Sequence, residues 1–419
     1  MRNSNTKISK GFFAILIVLM PLLSVYAFPG IPSLTLGEPV LLLYCFFWLP
    51  HFVKSNRNKL IVHSPLYWLF IIYVIIVSFV NALCIYEYSI TDAITASLRV
   101  LLYTVVIFVI SKGSLETEFF RKTYLLVCFL SATYLIIQLI SGTMLNIYLP
   151  STFTNMKIMY SNYTGYTYNQ FLFDNYTRLG FRPSSWFKEP SHLSRYIIYS
   201  LPIISLKQER KSRFEVLTFI IVIIAILSTR SAMGFLGLGL FMITWLYFNR
   251  KSKSLYIKIG AVLVAILILI ASAYFGLAEQ AVGRLSVESG SGGSRIYRGF
   301  SIYSKMPLVF KIFGSGLGNY SAFAYHYDIT TIYDRAGDSG NNYMNLIATT
   351  LVSSGLLGFI IYMSSLVKLV WHKSNVQITC FILFLFFAFG TNIIYHSAEY
   401  ILPLLFVALN LNAQNNDNS

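Results

Sequence analysis

An all-α, polytopic integral membrane protein with about twelve transmembrane helices is the fold class this sequence predicts, on three observations. Of its 419 residues, 56% are hydrophobic and only 11% charged, with a mean hydropathy of +0.64. A soluble domain would carry about a quarter charged residues. The hydrophobic residues are gathered in runs of about 17 to 25, the length at which a helix crosses a hydrocarbon core. The basic residues fall in short clusters at alternate gaps between these runs, as in chains whose loops are sorted across a membrane.

The first run, Phe12 to Phe28, follows a polar start with Arg2, Lys7 and Lys10 that mimics a signal peptide. It is longer than a signal core and further runs follow, so it reads as a retained first span. Spans are predicted next at 36–53, 65–84, 92–110 and 123–141. A first long segment, 142–188, then carries Tyr148, Tyr160, Tyr163, Tyr166, Tyr168 and Tyr176, which suit either sugar rings or a membrane interface. Pro190, a favoured first-turn residue, opens a helix over 189–206. Runs at 214–229, 232–248 and 257–276 lead to the second long segment, 277–341. Runs at 342–370, 376–394 and 396–412 complete the set, the last two reading equally as one interrupted hairpin, and the polar tail 413–419 reads as disordered.

Charge orients the helices. The N-terminal tail, "KSNRNK", "SKGSLETEFFRK", "KQERKSR", "NRKSKSLYIK" and "KLVWHK" hold 19 of the 32 Lys and Arg residues, which makes that side cytoplasmic and both termini with it. Both long segments then lie outside the cytoplasm. The net charge of +16 would suggest nucleic acid in a soluble chain, but here it is spent on orientation, and nucleic acid is set aside. Cys45, Cys84, Cys128 and Cys380 lie in or at the ends of apolar runs with no C-x-x-C spacing, so neither a metal site nor a disulfide framework is expected. There is no H-E-x-x-H, P-loop or dinucleotide fingerprint, and no cofactor is expected.

The charges that escape this pattern mark candidate site residues. At about 100° per residue, Glu189, His192, Tyr196 and Tyr199 share one stripe of the 189–206 helix with Arg195 at its flank, while Leu193, Ile197, Ile198 and Leu201 lie opposite. These polar groups occupy the outer turns. They line an outward cavity, or they are an interfacial cap with Arg195 reaching headgroups. Arg99 lies about 10 Å along its helix from the outer end and needs a partner, either Glu38 or an anionic lipid diphosphate. Arg230 in "STRSAMG", and Glu399 with His396 in "YHSAEY", read as weaker site candidates or as simple loop charges.

In the second long segment, "SGSGGSRIYRGFSIYSKMPLVFKIFGSGLGNY" regains helical spacing from Arg295, with Ile296, Phe300 and Tyr303 on the apolar side. This predicts a short interfacial helix with Arg295 and Arg298 at its N-terminus. Guanidinium forks there suit a diphosphate, or else lipid headgroups.

The segments "RPSSWFKEPSHLSRYI", "GGSRIYRGF" through "FGSGLGNY", and "SGNNYMNLIATTLVSSGLLGFIIYM" resemble, in order and sidedness, those of the Wzy-type O-antigen polymerases and, more distantly, the O-antigen ligases. The resemblance implies a GT-C-like, metal-independent glycosyltransferase of the bacterial inner membrane with a periplasmic site. Its substrate would be an undecaprenyl-diphosphate-linked oligosaccharide, and a chain-length regulator protein would be a further partner. In the ligases a histidine precedes the asparagine that opens the late helix; here Asn341 stands in its place, which favours a polymerase. On this reading Arg295 and Arg298, then Arg182, Arg195 and Arg99, bind diphosphate; Glu189, with His192 in reserve, is the base; Asn342 and Tyr196 bind sugar. Ligase and flippase are the alternatives, but a flippase would need charges through both leaflets, whereas these gather in the outer half.

Overall fold

The computed structural model describes residues 2–55, 65–110, 115–159, 164–179, 181–206, 211–249, 292–331, 344–371, 373–391, 395 and 397–409. Helices dominate: α1 (Arg2–Leu23), α2 (Gly37–Ser55), α3 (Pro65–Cys84), α4 (Ile90–Val105, continued by a π-helical turn to Ile110), α5 (Thr117–Met144) and α6 (Gly165–Leu179). There follow α7 (Pro190–Ile197), α8 (Ser200–Ser205), α9 (Arg213–Ser228), α10 (Ala232–Asn249), α11 (Gly292–Lys305), α12 (Leu308–Phe313) and α13 (Tyr320–His326). The last are α14 (Leu346–Val370), α15 (Asn375–Gly390) and α16 (Ile401–Ala408), the last preceded by a 3-10 turn at Ala398–Tyr400. Among the described residues, α3, α4, α5, α10 and α14 are long and apolar enough to cross a membrane. Every predicted span that falls among the described residues is helical, with shifted bounds; the run 257–276 and the tail 413–419 lie outside them.

Three departures from the predicted spans have physical causes. The first helix stops at Leu23 rather than running to Phe28, because Pro29-Gly30, with Gly30 at φ +84°, turns the chain into a hairpin of β1 (Ala27–Phe28) and β2 (Ile31–Thr35). Tyr26 bridges onward to Ile158, so this small β-platform ties the end of α1 to the first long segment. The 189–206 helix is divided into α7 and α8 because Pro202 has no N–H to give the Ile198 carbonyl, which accepts from Leu201 instead at 3.1 Å.

The third is a break inside α14, where Gly355 sits at φ 63°, ψ −173°. The carbonyls of Val352 and Ser353, which lose their helical donors there, accept from the amides of Ser315 and Gly316, each at 2.9 Å. Those amides belong to a strap, Gly314 to Asn319, laid between α14 and the α3–α4 hairpin. Leu317 N–H donates to Ser78 Oγ at 2.7 Å, the Asn81 amide donates to the Gly314 carbonyl at 3.0 Å, and Asn319 pairs with the Ser89 backbone at 2.7 and 3.0 Å. Gly314, Gly316 and Gly318 all take positive φ, and a Cβ on Gly316 would lie 2.7 Å from Ser78 Cα.

Buried charge is paired. Near the start of α5, Arg121 is held by Glu118 at 2.8 and 2.9 Å and by Glu215 of α9. Glu38 at the start of α2 accepts from Arg99 Nε at 2.7 Å and Nη2 at 3.2 Å, from Tyr103 Oη at 2.7 Å and from the Thr35 amide at 2.7 Å. Of the two partners open to Arg99 in the sequence, the structure therefore supplies Glu38, and the carboxylate is satisfied on both oxygens.

Candidate active site

The chain enters α7 through a pinned turn. Ser184 and Ser185 are buried, Ser185 takes a positive φ of 56°, and its amide donates to Gln138 Oε1 of α5 at 2.7 Å. Glu189 follows as the extended residue before Pro190; its side chain does not cap the helix, and Oε2 accepts from Ser191 Oγ at 3.2 Å. One turn further, His192 Nδ1 lies 2.7 Å from Glu399 Oε1 in the 3-10 turn before α16. The other oxygen of Glu399 accepts from Arg195 Nη2, and Arg195 Nη1 donates to Thr391 Oγ1 at 3.0 Å. One carboxylate thus holds an imidazole and a guanidinium from successive turns of one helix face.

These groups line a narrow cleft that opens to solvent. Pro21, Phe187, Leu402 and Pro403 form its apolar wall, and His192, Arg195, Tyr199 and Glu399 its polar one. The Tyr199 hydroxyl is buried there with no hydrogen-bond partner among the described residues. An apolar cleft with a few convergent polar groups is the usual form of a small ligand site.

The second candidate group approaches from α11. This helix begins at Gly292, so Arg298 stands nearly two turns inside it rather than at its N-terminus, beyond the reach of the terminal dipole. Arg298 is buried, and the helix packs on α14 so closely that a Cβ on Gly299 would lie 2.4 Å from Ala348 Cβ. It is thus not only an interfacial helix: one face is covered by α14. The Asn345 amide donates to the Ile296 carbonyl at 3.1 Å while its oxygen caps the Ala348 amide at 2.8 Å. Phe300 of α11 stacks near Phe389 at the end of α15, with ring centroids 6.3 Å apart, and Thr391, two residues on, holds Arg195. Both groups therefore converge on one end of α15. The turn that opens α7 is held at the Gln138 end of α5, opposite its Arg121 end.

The structure accordingly brings Glu189, His192 and Arg195 together and joins them to Glu399, which the sequence offered as a weaker site candidate or a simple loop charge. Its only sequence signal is an acid beside an apolar run, and its partners stand about half a chain away. Arg195 is not presented as a bare cation: Glu399 and Thr391 hold it in place. Arg182 is half-buried in the turn before α7, and Arg99 is engaged elsewhere by Glu38. The side chain of Arg295, together with Asn341, Asn342 and His396, lies outside the described residues.

Tyr196, expected from the sequence as a sugar contact, lines the cleft. Its hydroxyl donates to the Val18 carbonyl of α1 at 2.9 Å and its ring lies against Phe187, so it braces α7 against α1. Tyr196→Phe should therefore lose about 1 kcal/mol of stability, read as a lowered melting point of the purified protein.

Residues 217–363, from α9 through the break in α14, match the family model described as O-Antigen ligase. No curated protein matches the chain. The matched stretch takes in α11, the glycine strap and most of the helix on which they pack, two of the three segments that carry the resemblance in the sequence; the third, "RPSSWFKEPSHLSRYI", lies ahead of it. The match covers about a third of the chain, and over residues 217–363 the chain is similar to the O-antigen ligase family.

Proposed function

We propose that this protein is a surface-polysaccharide polymerase. It transfers the growing glycan from undecaprenyl diphosphate to the terminal sugar hydroxyl of a new lipid-linked repeat unit. The reaction takes place on the periplasmic face of a bacterial inner membrane, with both termini cytoplasmic and a GT-C-like arrangement of helices. The superfamily supplies the coarse part of this reading: a multi-pass membrane protein, glycosyltransferase-like, working on lipid-linked oligosaccharide in polysaccharide synthesis.

The observation that carries the finer part is the convergence, at one end of α15, of a carboxylate-held imidazole and guanidinium with the helix that bears Arg298. The leaving diphosphate gains negative charge as the glycosidic bond breaks, so arginines fixed beforehand stabilise the transition state. Arg295 and Arg298 take this role, with Arg182 near the mouth, and the energy comes from the glycosyl diphosphate itself. The acceptor hydroxyl needs a base within hydrogen-bond reach; His192 lines the cleft, and Glu189 Oε2 lies 4.0 Å from its Nε2. Asn341, where the ligases carry histidine, supports polymerase over ligase. A chain-length regulator would then act as a separate partner.

Deletion of the chromosomal copy tests the reading. The expected lipopolysaccharide is lipid A-core bearing a single repeat unit. Core with no repeat unit would mean a ligase, and an unchanged ladder on a gel would refute both.

A further inference from the structure

We propose that Glu399 is a positioning residue that fixes His192 with its Nε2 lone pair toward the cleft, so that His192 takes the proton of the acceptor hydroxyl. This rests on the polymerase reading and adds to it the identity of the base and of the group that aims it.

A carboxylate can only accept, so at 2.7 Å from Glu399 Oε1 the His192 Nδ1 carries the hydrogen. In the neutral ring Nε2 is then an acceptor. It stands 4.0 Å from Glu189 Oε2, too far for a hydrogen bond between them. Two acceptors facing each other at that separation make a place for a donor, and a sugar hydroxyl is one. Glu399 can hold this aim because it is itself held: Arg195 takes its second oxygen, and Thr391 takes a further N–H of Arg195. Among the described residues, the titratable groups about the imidazole are Glu189, Arg195, Tyr196 and Tyr199 from its own α7–α8 segment and Glu399 from the opposing turn.

The step balances without a further reactant. The acceptor oxygen forms its bond to the anomeric carbon of the donor sugar as the bond from that carbon to the diphosphate oxygen breaks. The diphosphate leaves with the electron pair, and the hydroxyl proton passes to Nε2. The imidazolium so formed has the Glu399 carboxylate 2.7 Å from its Nδ1. The proton therefore moves toward charge that favours it. The arrangement has the logic of a base oriented by a carboxylate behind it.

The test uses the full-length protein in liposomes, with the lipid-linked repeat unit extracted from the deletion strain as substrate. Wild type should extend it; a wild type that does not, on substrate facing it, removes the polymerase reading and this proposal with it. Given an active wild type, Glu399→Gln should lower kcat about 100-fold with KM little changed. His192→Gln should lower kcat at least as far, and the double variant should be no worse than His192→Gln, because Glu399 acts through His192. Losses that multiply in the double variant, or a Glu399→Gln enzyme with normal kcat, would overturn the positioning role while leaving the polymerase reading in place. If Glu399→Gln does not fold, wild-type protein with 15N-labelled histidine still decides, the His192 signal being assigned by its loss in His192→Gln. The expected tautomer is Nδ1–H, and an Nε2–H ring would refute the proposal.

Discussion

Gly355→Ala should cost on the order of 3 kcal/mol or more and leave little folded protein in detergent. The position takes a φ, ψ combination open in practice to glycine alone. An added Cβ would also lie 2.3 Å from the Ile312 carbonyl oxygen, 2.4 Å from its carbon and 2.6 Å from the Gly314 nitrogen, all backbone atoms. None of these can swing aside as a side chain would. Gly239→Ala is the matched control, since a Cβ there meets nothing within 4 Å and the position lies inside α10. It should be neutral or slightly stabilising. A melting midpoint followed by tryptophan fluorescence, together with the monodisperse fraction after solubilisation, reads both. Equal behaviour of the two variants would mean that the break in α14 is not needed for folding.

Arg99→Met should destabilise by about 3 to 5 kcal/mol, because it leaves Glu38 buried as a carboxylate with its cation removed. Combining it with Glu38→Gln should recover most of that loss, since the amide oxygen can accept from the Thr35 N–H while the amide nitrogen donates to the Tyr103 hydroxyl. The pair also separates two roles for Arg99. If the double variant regains both stability and chain growth, the guanidinium serves Glu38. If it regains stability while chain growth stays low, Arg99 also meets the lipid diphosphate.

What the sequence made legible follows the period of its patterns. Apolar runs located the helices because burial in lipid or protein selects the same residues over the same lengths. The stripe of His192, Tyr196 and Tyr199 was legible because helical geometry alone puts those positions on one face, and all three line the cleft. Partners were not legible when they came from far along the chain. Glu399 reaches Arg195 across 204 residues, and nothing in "YHSAEY" announces it. The Tyr196 hydroxyl turned to Val18 for the same reason. The end of α1 was within reach, since Pro29-Gly30 is a turn signal, but the run of apolar residues ahead of it outweighed that signal. The break at Gly355 was not, because a lone glycine in an apolar run looks like many unbroken ones.

The glycine strap limits how such proteins can be recombined. Residues 314–319 are keyed into Ser78, Asn81 and Ser89 on one side and into the broken α14 on the other. The segment that bears Arg298 is therefore not an exchangeable cassette. A chimera that grafts 292–331 from a relative with different sugar preference would arrive without its lock. The graft should assemble only when the donor's counterparts of 78–92 and 345–355 travel with it. Substrate choice, insofar as that segment governs it, is inherited as a three-part block scattered over most of the chain.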